Sequence, residues 1–525
     1  MPLLSRGKRR AAARPASLAA IALAAVVVLA AAALGGSAAG GARTPQSALA
    51  GTPGFGDMSL KQMIAERKSV PVPKKVPKFS GKVTVMGDGG HNMNVFGFWW
   101  PEWKKAGITL KAVEVPFADL YSKEKAEFIA GTKAVDLVVF YPAYIGDFAS
   151  NGYLRPLDDY IKKYNPHLND VITAFRKLYL GWAGHTYALP EDGDVHIYIY
   201  RKDLLNNASE QAAYKKQYGR KLTVPKTWDE YLQVGKFFTR KAGAKLGGKT
   251  LSRPFYGCGE YGQRGFSWAW FMDRFASAGG VYFDKDMKPL IDSPAAIKAL
   301  NNMRDAVKQC SPPDVLNFGY DQLRDCLIKS QCFQVVQWTD VPKKGADPTQ
   351  SQVHGKLGYG LLPGTRVGGK IVSRSMMPVG RVLAVTKNSK NPEAAYWVAK
   401  YISDDVSYFN VSTPADGLDP YRYSQLKPKY FKVFRSTADA SAYLAAVRGV
   451  LEHGFPEIYI PGAAQYEDAL DLAVNKVISG QETAPKALGD AAKSWNDITD
   501  KLDKKHQTEL WREALKNYKA LGLIK

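Results

Sequence analysis

At 525 residues, 46% hydrophobic and 23% charged, the chain can bury at least two cores, and beyond residue 34 no run is apolar enough to span lipid. The formal net charge is +23, and it remains strongly positive without residues 1–43. Lys and Arg are spread along the chain without any RNA or DNA module motif, so the basic balance reads as a solvated surface and excludes a dedicated nucleic-acid binder.

Arg6, Lys8, Arg9, Arg10 and Arg14 precede an apolar run from Leu18 to Leu34, followed by small residues suited to cleavage near Ser37 to Ala39 or Ala48 to Ala50. This pattern predicts a secretory signal over 1–43, with an uncleaved anchor as the alternative. Ala-Ala-Ala-Arg follows Arg9-Arg10, which does not fit a twin-arginine signal. No cysteine lies before Cys258, so a lipid anchor after the signal is not expected and the mature protein should be periplasmic or extracellular. Residues 44–78, with a short helical piece at 59–67 and the run VPVPKKVPK, read as a linker.

Folded structure is expected from Gly81, where KVTVMG alternates as a strand. A loop carrying Trp99 and Trp100 follows, then a strand at 111–115, a helix at 118–130 and a buried strand at 136–140. Strand, helix and strand at this spacing predict a parallel α/β unit. Residues 184–205, GHTYALPEDGDVHIYIYRKDLL, run from a Pro-ended turn through an acid-Gly-acid cluster into an alternating strand. His196, Tyr198 and Tyr200 share one face of that strand, and Ile197 and Ile199 the other.

Further on, Thr227 caps one helix, SWAWFMDRFASAGG ends another at paired glycines, and Ser293 caps a third. The strand QCFQVVQWTD ends in Trp338 and Asp340, RVLAVTK is another strand, and the tail supplies two more helices. The four cysteines, Cys258, Cys310, Cys326 and Cys332, fall in one 75-residue window, as suits an oxidising compartment. Three pairings are open; Cys326 with Cys332 is preferred because it would join a helix end to the next strand. No Cys-x-x-Cys or clustered His accompanies them, so no metal is expected.

The 184–205 segment, together with VEVPFADLYSKEKAEFIAG, DLVVFYPAYIGDFASNGYLRPLDDYI, PKTWDEYLQVGKFF, VVQWTD, NSKNPEAAYWVAKYIS and ISGQETAPKAL in order, resembles the family 1 extracellular solute-binding proteins, the sugar receptors of ABC importers. The resemblance implies a two-lobed periplasmic-binding-protein type II fold, each lobe a mainly parallel sheet flanked by helices, joined by a hinge. By analogy one lobe spans 79–192 and 359–412, the other 193–358 and 413–525. The implied function is capture of a carbohydrate or polyol between the lobes by a monomer that delivers it to the importer's permease subunits, without catalysis, cofactor or nucleic acid.

Sugars present hydroxyl rims and apolar C–H faces, so aromatic plates and carboxylates are the residue types to seek; 11 Trp and 28 Tyr supply the first in quantity. Trp338 and Asp340 stand where a strand runs out, the usual place for ligand contact in open α/β sheets. Asp192, Asp194 and His196 sit at an expected crossover, where capping or hinge ion pairing is the competing account. Trp99, Trp100, Tyr141 and Tyr144 follow strands, and Trp268 and Trp270 lie near a helix start.

Where many relatives read Gly-Gly-Trp, this chain has Gly380-Arg381, replacing an aromatic plate with a guanidinium. Arg381 with Arg374 would grip an anionic solute such as a sugar acid; alternatively Arg381 pairs with Asp192 or Asp194. Gly257 to Gly262 matches G-x-G-x-x-G, but no clear apolar strand precedes it, so a loop is expected. The enzymatic alternative is a secreted glycoside hydrolase with Glu191 and Asp340 as acid and base.

Overall fold

In the computed structural model, residues 60–524 are described, apart from 117–118, 378–379 and 414–416. The expected export segment at 1–43, linker residues 44–59, and Pro378 and Val379 lie outside the described residues.

The main strands are β1 (Gly81–Asp88), β2 (Ile108–Val115), β3 (Leu137–Phe140), β4 (Leu189–Asp192), β5 (His196–Arg201), β6 (Tyr256–Gly259), β7 (Cys332–Trp338), β8 (Leu357–Gly360) and β9 (Arg381–Val385). They form a five-stranded sheet, β2-β1-β3-β9-β4, and a four-stranded sheet, β6-β7-β5-β8. In β3, β7 and β9 every residue is buried, because helices cover both faces of each sheet. The alternation along β5 therefore does not separate a wet face from a dry one: Tyr198 is as buried as Ile197 and Ile199.

Each sheet is mainly parallel, as expected, with one strand reversed. β1 runs parallel to β2 and β3, and β6 parallel to β7. By contrast β9 is antiparallel to β3 and β4, and β5 to β7 and β8. Connectivity explains the difference. β5 follows β4 after only three residues yet belongs to the other sheet, so it enters at the end where β7 finishes, and His196 pairs with Trp338. β9 likewise enters the first sheet at its far end, with Arg381 paired to Asp192. A strand arriving from the neighbouring sheet starts where the parallel strands stop.

Several local expectations appear as drawn. Thr227 accepts a hydrogen bond from the Glu230 amide at 3.2 Å and opens the helix Trp228–Phe238. Ser293 caps Pro294–Cys310, and the helix Ser267–Ser277 ends just before Gly279 at φ 85°. Elsewhere the chain departs from expectation. The linker is docked in part: Val70 is buried in the core, and the Arg67 guanidinium donates to the Phe98 carbonyl at 3.3 Å. The Gly257 to Gly262 motif is strand in its first half, Gly257–Gly259 in β6, and loop only from Glu260 on. A Cβ on Gly257 would sit 1.6 Å from the Gly235 carbonyl oxygen, so the glycine serves close packing of a helix on the strand.

Disulfides join Cys258 to Cys310 and Cys326 to Cys332, the second being the preferred pairing. The first ties β6 to the helix Pro294–Cys310 across 52 residues of sequence, the second closes only six. Because a longer closed loop removes more entropy from the unfolded chain, C258S/C310S should cost about 4 kcal/mol and C326S/C332S about 2 in urea unfolding. Equal losses would contradict the loop-length argument.

Candidate functional site

The ends of β1, β3 and β4 and the start of β9 lie on one edge of the first sheet, which brings Asp88, Tyr141, Asp192 and Arg381 together. Arg381 binds Asp88 with both arms, Nε to Oδ1 at 2.8 Å and Nη2 to Oδ2 at 2.6 Å, and its Cζ lies 3.9 Å from the Tyr141 ring centre. Burial alone would lower the guanidinium's pKa, but Asp88 and Tyr141 more than offset it, so Arg381 stays charged. The expected partners were Asp192 or Asp194; the bidentate carboxylate is instead one from β1. Arg374 is fixed elsewhere, its backbone bonded to Ser277 at the end of the helix Ser267–Ser277. Asp88 thus occupies the Arg381 guanidinium that an anion clamp would need.

Glu124, on the helix Leu120–Ala130, is fully buried beside this pair, and neither of its oxygens has a hydrogen-bond partner among the described residues. Burial pushes its carboxyl well up, Asp88 pushes it further, and Arg381 opposes. Two more acids face the same edge from the other half of the chain. Glu457 and Glu467 are raised, chiefly by burial, and both act on Tyr144.

On the second sheet, Trp338 ends β7 inside an aromatic box. Trp270 stands edge-on at 5.0 Å, Tyr261 and Phe266 at 5.9 Å each, and His196 at 5.7 Å. Phe266 also lies 5.4 Å from Tyr141, so the aromatic groups of the two strand-end edges meet. Asp340 is buried just beyond Trp338, accepts a hydrogen bond from the Tyr320 hydroxyl on Oδ2, and lies 3.7 Å from Lys344. Burial, with Asp419 nearby, pushes its pKa up to about 6 despite Lys344.

That shift has a sign. The folded value exceeds that of an unfolded aspartate, about 3.9, so the unfolded chain loses this proton first as pH rises. Stability contributed by the protonated group is complete below about pH 4 and lost as pH climbs through about 6. Asp340→Asn should remove a fall of about 3 kcal/mol across that interval in metal-free urea unfolding. Parallel pH profiles for the two proteins would refute the assignment.

Other expected residues have different surroundings. Trp99 lies between two helices, not in an open loop; it is fully buried and its indole N–H donates to Asn410 at 3.0 Å. Trp100 opens the helix Trp100–Lys105 and is only partly buried. His196 is fully buried with Nδ1 2.8 Å from Asp273 and its ring 4.2 Å from Trp270, an interior pairing with no open face. Trp270 is also fully buried, donating to the Val336 carbonyl at 2.9 Å, and serves as the wall behind Trp338. Trp268 packs in the core, its amide donating to Asp471. Tyr144 leans on Tyr121 at 4.8 Å and on Tyr141 at 5.9 Å.

Asp192 and Asp194 sit at the crossover between the sheets. The Asp419 amide donates to Asp192 at 2.7 Å, and the Gly193 amide to the Asp419 carbonyl at 3.0 Å. Asp88, Glu124, Asp419, Glu457, Phe266 and Tyr261 escaped the reading of the sequence. Glu457 alone carries a local signal, a carboxylate inside the apolar run FPEIYIP.

Comparison with known proteins gives a consistent set of likenesses. The family model described as "Bacterial extracellular solute-binding protein" matches residues 97–406. A probable amino-acid ABC transporter periplasmic-binding protein, y4oP of Sinorhizobium fredii, is 25% identical over 457 residues, covering 85% of this chain and 95% of that protein. Among solved structures, an ABC transporter solute-binding protein from Agrobacterium radiobacter K84 in complex with ribitol has a TM-score of 0.67 at 24% identity, covering 81% of this chain and all of that one. Maltose-bound MalE3 of T. maritima has a TM-score of 0.66 at 21% identity, covering 79% of this chain and 99% of that one. The solved structures identify the fold as two-lobed and α/β.

Proposed function

The chain belongs to the bacterial extracellular solute-binding proteins, a binding family without catalytic chemistry, and from that premise we propose that it is the importer receptor for a carbohydrate or polyol held between its two lobes. The lobes would be 79–192 with 359–412 and 193–358 with 413–525, each containing one of the two sheets apart from the end of β8, Tyr359 and Gly360.

One observation carries the reading. The aromatic box around Trp338 meets Tyr141 at the strand ends of both sheets, with Asp340, Glu457 and Glu467 near it. Aromatic plates suit the C–H faces of a sugar, and carboxylates suit its hydroxyls. An anionic solute has less support, because Asp88 already neutralises Arg381 and further acids surround the pair. Asp340 and Glu191 are assigned no acid–base role. Trp338, Asp340, Tyr141 and Tyr144 are the residues we assign to solute contact, with Trp270 behind them and Trp100 at the margin. Asp192, Asp194 and His196 are assigned to the crossover and its packing, and Trp99 to the core.

Solute that touches both lobes only when they close shifts the population toward the closed form by its differential affinity. Delivery to permease subunits and release beyond the membrane after removal of residues 1–43 complete the proposal; among the described residues no helix is long and apolar enough to cross a membrane. The test is a thermal-shift panel of sugars, polyols, sugar acids and amino acids. A sugar or polyol at about 100 times its Kd should stabilise the protein by about 2.7 kcal/mol and be recovered unchanged. Stabilisation by amino acids alone, or by none of the panel, would overturn the solute class.

A further inference from the structure

We propose that the crossover between the sheets is a binding site for one divalent cation of the calcium type, held by Asp192, Asp194 and Asp419. One oxygen from each of these carboxylates lies within 4.8 Å of the others. Ligands on opposite sides of a Ca2+ ion with bonds of about 2.3–2.6 Å stand about 4.6–5.2 Å apart, so the three oxygens fit around one ion.

Neighbouring groups point the same way. Asp419 is fully buried: Oδ1 faces Lys343 at 3.3 Å and the Tyr443 hydroxyl at 3.3 Å, while Oδ2 has no hydrogen-bond partner among the described residues. Asp340, at the end of β7, acts electrostatically on both Asp194 and Asp419's surroundings, is 2% exposed, and its Oδ1 also lacks a partner there. A buried carboxylate oxygen without a donor needs a cation or a proton.

The resident lysines do not meet that need. Lys343 spends its ammonium on the Val411 carbonyl at 2.9 Å, the Leu418 carbonyl and Asp419. Lys344 lies 3.7 Å from Asp340 on the oxygen that Tyr320 already engages. With Asp192, Asp194, Asp340 and Asp419 all ionised, the two ammonium groups would leave two negative charges, which one divalent ion would neutralise. All the ligands are oxygens, and the nearby His196 is committed to Asp273 at 2.8 Å, so a hard cation suits the site better than zinc. Asp194 is only partly buried, which leaves an entry path. Asp192 and Asp194 come from the crossover between β4 and β5 and Asp419 from the coil segment packed against it, so the ion would tie these two segments together.

The experiment uses the purified chain stripped with a chelator, titrated with CaCl2 by calorimetry and melted with and without the ion at neutral pH. About one equivalent should bind, and Tm should rise by several degrees, with a smaller response to MgCl2. Asp194→Asn should abolish the calcium shift and, by removing repulsion, melt no lower than the wild type in chelator. Asp340→Asn offers a second variant, expected to weaken calcium binding at least tenfold. Absence of binding to the folded wild type, or a calcium shift retained in both variants, would overturn the proposal. So would a melt that responds to acid but not to calcium, since protons would then neutralise the cluster.

Discussion

Trp338→Ala is expected to weaken solute binding by about 10- to 100-fold, because covering one aromatic side chain contributes about 1.5–3 kcal/mol and each 1.4 kcal/mol is tenfold in Kd. Trp338 is the residue of the aromatic box placed at the strand end, with Trp270 and Tyr261 edge-on against it and Phe266 linking it to Tyr141. Removing the indole would take away a stacking plate and loosen the rings that hold the plate in position. Trp338→Phe should recover part of the affinity, since a ring remains. Trp99→Phe is the contrasting variant: its indole is fully buried and bonded to Asn410, so it should lower stability and leave Kd nearly unchanged. Titration calorimetry on variants whose circular dichroism matches the wild type separates the two effects. An unchanged Kd in Trp338→Ala would remove this tryptophan from the solute site.

The second large effect concerns stability. Asp88→Ala should cost about 3–5 kcal/mol, the usual consequence of stranding one member of a buried ion pair. Arg381 is 4% exposed and Asp88 5%, and their bidentate contact is backed by the Tyr141 ring. With Asp88 gone, the guanidinium would keep its desolvation penalty and lose its main partner. Replacing both, as Asp88→Ala with Arg381→Met, should recover much of the loss, because neither charge is then buried alone. Glu124 adds a further check. It is held protonated by burial and by Asp88, so in Asp88→Ala the freed Arg381 should draw it toward ionisation, and Asp88→Ala with Glu124→Gln should be less stable than Asp88→Ala alone. Urea unfolding of the four proteins decides the matter. A single-variant loss below about 1 kcal/mol would mean that water reaches the pair and screens it.

Elements defined by a few consecutive residues were legible before any coordinates. The Thr227 and Ser293 caps, the paired glycines closing Ser267–Ser277 and the buried run at β3 depend on hydrogen bonds and side-chain periods within a turn or two. The order of short motifs along most of the chain was also enough for the family, since each preserves the spacing of one such local unit. Strand direction was less accessible: β5 and β9 read as strands, but their antiparallel entry depends on which sheet the previous segment has left.

The site divides along the same line. Trp99 was expected just after a strand and Trp338 at the end of one, yet the first is locked between helices in the core and the second stands beside Asp340. No composition or local pattern separates them, because the distinction is made by what folds over each ring. Arg381 could be recognised as a departure, but its partner Asp88 is 293 residues away; Asp192 meets Asp419 across 227 residues. Backbone preference and hydrophobic period act over a few residues and are written in the chain itself. Charge pairing and burial act through space, so the partners of these acids were decided only when two sheets and their crossovers packed together.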